Sequence, residues 1–222
     1  MQQLLSFHGS QEIKDKYIAR IKAHQIADQI IQGTGFNAET QKGCAVGCTL
    51  DSYNHGAYET ELGIPLILAI TEDNLFEKLS VEDSKSFPLE FLEAIPVGVN
   101  LENVYPLLFA WQMTDKEYGI INLVKDEKDK EDIQKISDLY THLGTGQITE
   151  KEFRLADRAD RADRAYLADL AYLADLDYLA DLDYRADRAY LAYLADLAYL
   201  AYLADYFTAT RIKLISLLRD AQ

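Results

Sequence analysis

Cys44 and Cys48 stand four residues apart in GCAVGC, and His55 follows seven residues after Cys48. On a helix the two thiols share a face, thinned around them by Gly43, Ala45 and Gly47. A thiolate at a helix N-terminus with a nearby imidazole as base is the pattern of cysteine nucleophiles, which makes Cys44, Cys48 and His55 the catalytic or redox candidates. A metal site would draw on the same three side chains and a fourth ligand such as His24, but C-x₃-C is not the usual zinc spacing, and no metal or other cofactor is expected. Against both stands packing, in which two buried cysteines act as small hydrophobes and the glycines let helices approach closely. Packing is the leading reading.

Other candidates are weaker. Glu59 and Glu61, and Glu72, Asp73 and Glu77, have side chains suited to acid–base work, yet carboxylates at such spacing ordinarily lie on solvated helix faces. GTGF and GTGQ lack the lysine and the strand–loop–helix setting of a phosphate-binding loop. Trp111, within LLFAWQM, reads as core.

The elements that must position these residues read as helices. Ser10 is placed to cap a helix through SQEIKDKYIARIKAHQIADQIIQG that Gly33 would end. The cysteine block suggests one or two short helices, and Pro65 suits the start of one through LILAITEDNLFEKL. Ser86 with Pro88 opens PLEFLEAI, which stops before Pro96, while VYPLLFAWQMT and DEKDKEDIQKISDLYTHL read as two more, the latter ending at Gly144. Only YGIINLV, 118–124, reads as a short strand. The expected fold class is all-α: a helical globular domain over 1–148, then a helical repeat segment over 149–222.

That segment opens on Thr149 and Glu152, spaced as a capping box. Residues 156–206 then form seventeen triplets of Ala, Asp or Tyr, and Leu or Arg, with only Asp177 and Asp183 replacing Ala. The letters ADL suit a pentapeptide β-solenoid, but a period of three loses a five-residue register within two repeats. On an α-helix each Leu lags its predecessor by about 60°, so the row circles the helix and cannot follow one straight neighbour. ADRADRADRA, 156–165, sets Asp157 and Asp160 four before Arg161 and Arg164, as on a solvated stalk. From Tyr166 onward nine tyrosines and many leucines need neighbours. One helix over 150–219 would run about 105 Å, against about 40 Å for the preceding globule. It therefore overhangs, folds back near LDYLADLDYR, or meets another chain.

KGCAVGCTL (42–50), His55, AYETELGIP (57–65), FLEAIPVGV (91–99) and the repetitive Ala-rich C-terminal helix together resemble a family of uncharacterised bacterial and phage-associated proteins. The resemblance covers most of the chain and implies no activity. In that family the tail is Ala-rich with periodic aromatics and charges, and this chain departs from it in its many Leu and Tyr residues. Such a tail suggests growth by replication slippage, since added triplets extend a helix.

The net charge of −15 and a pI near 4.6 repel phosphate backbones and anionic lipid, so neither nucleic acid nor membrane is an expected partner. The N-terminus, MQQLLSFHGSQEIKDK, lacks a basic stretch ahead of an apolar run, so a cytoplasmic location is expected. The functional expectation is a non-enzymatic interaction module that binds a protein partner or forms a homo-oligomer. The alternative is a small thiol-dependent enzyme or redox protein using Cys44 or Cys48 with His55.

Overall fold

The computed structural model describes residues 4–154 and 189–222, so most of the triplet repeat, and with it any fold-back point, lies outside the described residues. Within them the fold is all-α, as expected. The helices are α1 (Gln11–Ile26), α2 (Ala45–Leu50), α3 (Leu66–Lys78), α4 (Val81–Ala94), α5 (Val104–Thr114), α6 (Glu127–Gly144) and α7 (Ala189–Arg219). A π-helical turn, Tyr58–Leu62, and two 3₁₀ turns, Ser6–Gly9 and Ile120–Leu123, lie between them. Two short strands, β1 (Phe36–Asn37) and β2 (Lys42–Gly43), pair antiparallel with Phe36 opposite Gly43. Among the described residues no helix is long and apolar enough to cross a membrane.

Several helix ends follow the local chemistry. The Ser10 hydroxyl accepts the Ile13 N–H at 3.3 Å, and Asp126 caps α6 by accepting from Lys128 and Asp129. The Thr149–Glu152 box forms as spaced: Glu152 Oε2 accepts the Thr149 N–H at 2.8 Å, and Thr149 Oγ1 accepts the Glu152 N–H at 3.3 Å.

Three expectations need correction. Helix α1 stops at Ile26, well short of Gly33, because Asp28 turns left-handed (φ 51°) and the Gln29 N–H bonds back to the His24 carbonyl at 3.0 Å. Helix α4 begins at Val81, not at Ser86: Ser80 is the cap, accepting from the Asp83 N–H at 3.1 Å. Pro88 therefore sits inside α4, buried beside Phe87 and Phe91, and apolar burial offsets the missing backbone bond. Residues 118–124 hold a 3₁₀ turn rather than a strand. Asp115 Oδ1 accepts the N–H groups of Glu117 and Tyr118, and Asn122 Nδ2 donates to the Asp115 carbonyl, which curls the segment.

The chain divides into two compact units, residues 1–108 with 204–222, and residues 109–203. In the second, Ser137 Oγ donates to the Ala110 carbonyl at 3.1 Å, and Tyr140 packs between Phe109 and Phe153 with ring centroids 4.4 and 4.8 Å away. Trp111 is only half-buried there, its ring 6.4 Å from Tyr118.

The first unit carries the core that positions the cysteine block. Tyr17 and Ile21 of α1, Leu68 and Phe76 of α3, and Phe87, Phe91 and Leu92 of α4 are all buried. The segment before α1 is tied to 96–99: Ser6 exchanges backbone hydrogen bonds with Val99 and Gly98, and its hydroxyl donates to the Pro96 carbonyl. The end of α7 belongs to this unit, with Leu214 and Leu218 fully buried, each worth about 1.5–3 kcal/mol. Its Arg211 forks onto both Glu90 oxygens, Nη2 donating to Oε1 at 2.6 Å and Nε to Oε2 at 3.0 Å, and pairs with Asp83. This bidentate geometry fixes the helix's direction as well as its position.

Candidate functional site

The Gly33–Gly35 loop, the N-terminal turn of α2, the 51–57 loop and α3 converge on Cys44 and Asp73. The Cys44 N–H reaches the carbonyls of Thr34 and Gly35 at 2.9 and 3.0 Å, which lays the loop directly on α2. Two glycines make that approach possible: a Cβ on Gly47 would lie 1.9 Å from the Gly35 carbonyl oxygen, and one on Gly43 would lie 2.6 Å from it. Gly35 is itself covered by the Tyr53 ring, where its own Cβ would stand 2.6 Å from Cγ.

The two cysteines are enclosed by their surroundings. Both are buried; Cys44 Sγ accepts the Gly47 N–H at 3.4 Å, and the Cys48 thiol donates to the Gly43 carbonyl at 3.3 Å. Burial first, and the neighbouring Asp73 carboxyl second, push the Cys44 thiol far above its ordinary range. Burial also pushes Cys48 up to about 12. At pH 7 that leaves roughly a thousandfold less thiolate than an ordinary thiol at 9.0. Neither cysteine is therefore expected to take up iodoacetamide at pH 7 in the folded protein, while both label fully in denaturant. Fast labelling of either under native conditions, read by intact mass, would show an open thiol that this packing does not allow.

His55 is placed differently. Left-handed Asp51 (φ 56°) ends α2, and Asn54 Oδ1 accepts the Gly56 N–H at 3.1 Å. The resulting turn presents His55 to α3, where its Nε2–H donates to Asp73 Oδ2 at 2.9 Å. Tyr53 OH donates to the same oxygen at 3.0 Å, and its ring meets the imidazole edge-on at 5.0 Å. Burial, then the Asp73 charge, raise the Tyr53 hydroxyl to about 12, so it remains a donor at neutral pH. The structure thus joins His55 to Asp73, with Cys44 beside that carboxyl. Cys48 points its thiol instead at backbone carbonyls.

Glu72 and Asp73 are buried, which corrects their placement on a solvated face. Tyr58 OH donates to Glu72 Oε2 at 2.7 Å, while Glu72 Oε1, Asp73 Oδ1 and Thr49 Oγ1 are buried with no hydrogen-bond partner. Burial, the dominant cause, holds the Glu72 carboxyl well above the usual carboxylate range and Tyr58 well above the usual phenol range. Glu77 has another part: it accepts the Gly33 N–H at 2.8 Å and ties α3 to the glycine loop.

His24 lies apart from this cluster. Its Nδ1 faces Gln29 Oε1 and its Nε2 faces Asp51 Oδ1, both at 2.8 Å, and Arg20 pairs with the same aspartate at 3.1 Å. Among the described residues no group of three or more His, Cys, Asp or Glu side chains is placed to hold a metal ion.

No protein-family model, curated protein or solved structure matches the chain.

Proposed function

We propose that this protein acts by self-association through its C-terminal helical segment, with a second copy of the chain as the partner. The observation that carries the reading is the anchorage of α7. Its last turns are held within the first unit by Arg211, Leu214 and Leu218, directly downstream of the repeat. Wound as a helix, that upstream sequence would set leucine or tyrosine at every azimuth, and the same sequence on another copy would be equally in need of apolar neighbours. The net charge of −15 on each copy sets a repulsion that apolar burial must exceed. The thiol-based alternative draws no support from two buried, protonated thiols.

Light scattering across a concentration series tests this. The full chain is expected to form concentration-dependent oligomers, and a variant lacking 156–206 is expected to be monomeric. The two proteins giving one molecular mass at every concentration would defeat the proposal.

A further inference from the structure

Helix α3 carries a feature that self-association does not use. Leu66, Ile70, Asp73 and Glu77 fall within about 60° of one another around the helix axis. This is an outward stripe: its Leu66 and Ile70 are 38 and 36 % exposed, whereas Leu68, Ala69, Leu75 and Phe76 fill the inward one. Asp73 is buried on the outward stripe because Tyr53 and His55 cover it. A buried carboxylate that accepts from an imidazole and a phenol, with its other oxygen left without a partner, is costly to keep for packing alone.

His55 Nε2–H is committed to Asp73, which leaves Nδ1 with the lone pair. Among the described residues Nδ1 has no hydrogen-bond partner, and the His55 side chain is 23 % exposed. An oriented, solvent-reachable base with a buried carboxylate behind it is the arrangement that activates water. Beside it lie the half-exposed ring of Tyr53, 5.0 Å from the imidazole, and, one turn before Asp73 on α3, the exposed Ile70. Glu59, Glu61 and Glu77 lie on the same elements and disfavour anionic ligands.

We propose that His55, oriented by Asp73, is the general base of a hydrolytic site for uncharged carboxylic esters with an apolar acyl chain. Nδ1 takes a proton from water as the water oxygen bonds to the ester carbonyl carbon and the π pair moves onto the carbonyl oxygen. When that tetrahedral species collapses, the bond to the alcohol oxygen breaks, and the proton on Nδ1 passes to the departing oxygen. The products are a carboxylic acid and an alcohol, and nothing is oxidised or reduced. Asp73 is a positioning residue, and Leu66 and Ile70, on the same stripe, form the acyl-binding surface.

The test uses the full chain with p-nitrophenyl acetate and p-nitrophenyl butyrate as probes. Saturable hydrolysis is expected, with butyrate preferred. His55→Gln should lower kcat by at least about 100-fold, the scale of general-base catalysis. Asp73→Asn should lower kcat with KM unchanged, and Ile70→Ser should abolish the butyrate preference. His142→Ala, a surface histidine outside the site, should change nothing. Should a variant fail to fold, carbethoxylation of the unmodified protein serves instead: activity must fall in step with modification of the His55 peptide and return with hydroxylamine. A non-saturable rate, His55→Gln within threefold of the original, or equal losses in His142→Ala would overturn the proposal. Neither these rates nor the oligomeric state depends on the other, so each proposal fails by itself.

Discussion

Gly47→Ala is expected to destabilise the protein by at least about 3 kcal/mol, the upper part of the range for overpacking. The added methyl would sit 1.9 Å from the Gly35 carbonyl oxygen, 2.9 Å from its carbon and 3.2 Å from Phe36 Cβ. Two of these atoms are backbone, so no side-chain rotation relieves the overlap. The loop must lift, and the Cys44 N–H then loses the Thr34 and Gly35 carbonyls that it now reaches. Tyr53 rides on Gly35, so the displacement also reaches Asp73 and His55. For a chain of this size the melting temperature should fall by roughly 6–12 °C. Gly56→Ala is the matched control: its methyl would meet only Asn54 Oδ1, at 3.4 Å, and should cost under about 0.5 kcal/mol. Calorimetry showing the two variants melting together would mean that the loop is not seated on α2.

Glu72→Gln should change how stability responds to pH. The folded state holds the Glu72 proton because burial penalises its charge, while the unfolded chain releases it above about 4.5. The folded protein therefore binds more protons, and this group's contribution to stability falls as pH rises from 4.5 towards the raised folded value. The loss reaches at most about 1.4 kcal/mol per pH unit. The substituted amide would remain uncharged in both states and still accept the Tyr58 hydroxyl. Urea unfolding at pH 5 and pH 8 should show the substituted protein gaining on the original as pH rises, by at least about 1 kcal/mol. Parallel pH profiles for the two would show that Glu72 is charged in the fold.

The helices were legible wherever their ends carry local chemistry. Ser10, Pro65, Gly144 and the Thr149–Glu152 pair mark boundaries because each acts on backbone within a few residues. Ser80 escaped notice because Pro88 lies two turns later and reads as a beginning, although a buried proline is tolerated there. The β1–β2 pairing had no periodic signal, being two residues a side and held by contact with α2.

In the site, His55 stood out by its type, but Asp73 did not, since its role comes from a loop folding over it from eighteen residues away. Glu72 did carry a signal. It falls among Leu68, Ala69, Leu75 and Phe76 on the apolar face of α3, where a carboxylate must be buried. Burial of the thiols was the leading expectation from residue type, but the carboxyl beside Cys44 needed the structure, because spacing does not reveal it.

The first unit is assembled from both flanks of the repeat, and its core is completed by side chains encoded downstream of it. A coding tract that repeats along with the protein sequence would be prone to slippage during replication. Gain or loss of whole codons leaves Arg211, Leu214 and Leu218 intact. A shift of one or two nucleotides replaces all three, stripping the cover from the core and presenting the product to cellular proteases. The docked end of α7 thus makes stability of the first unit conditional on an unbroken reading frame through the repeat.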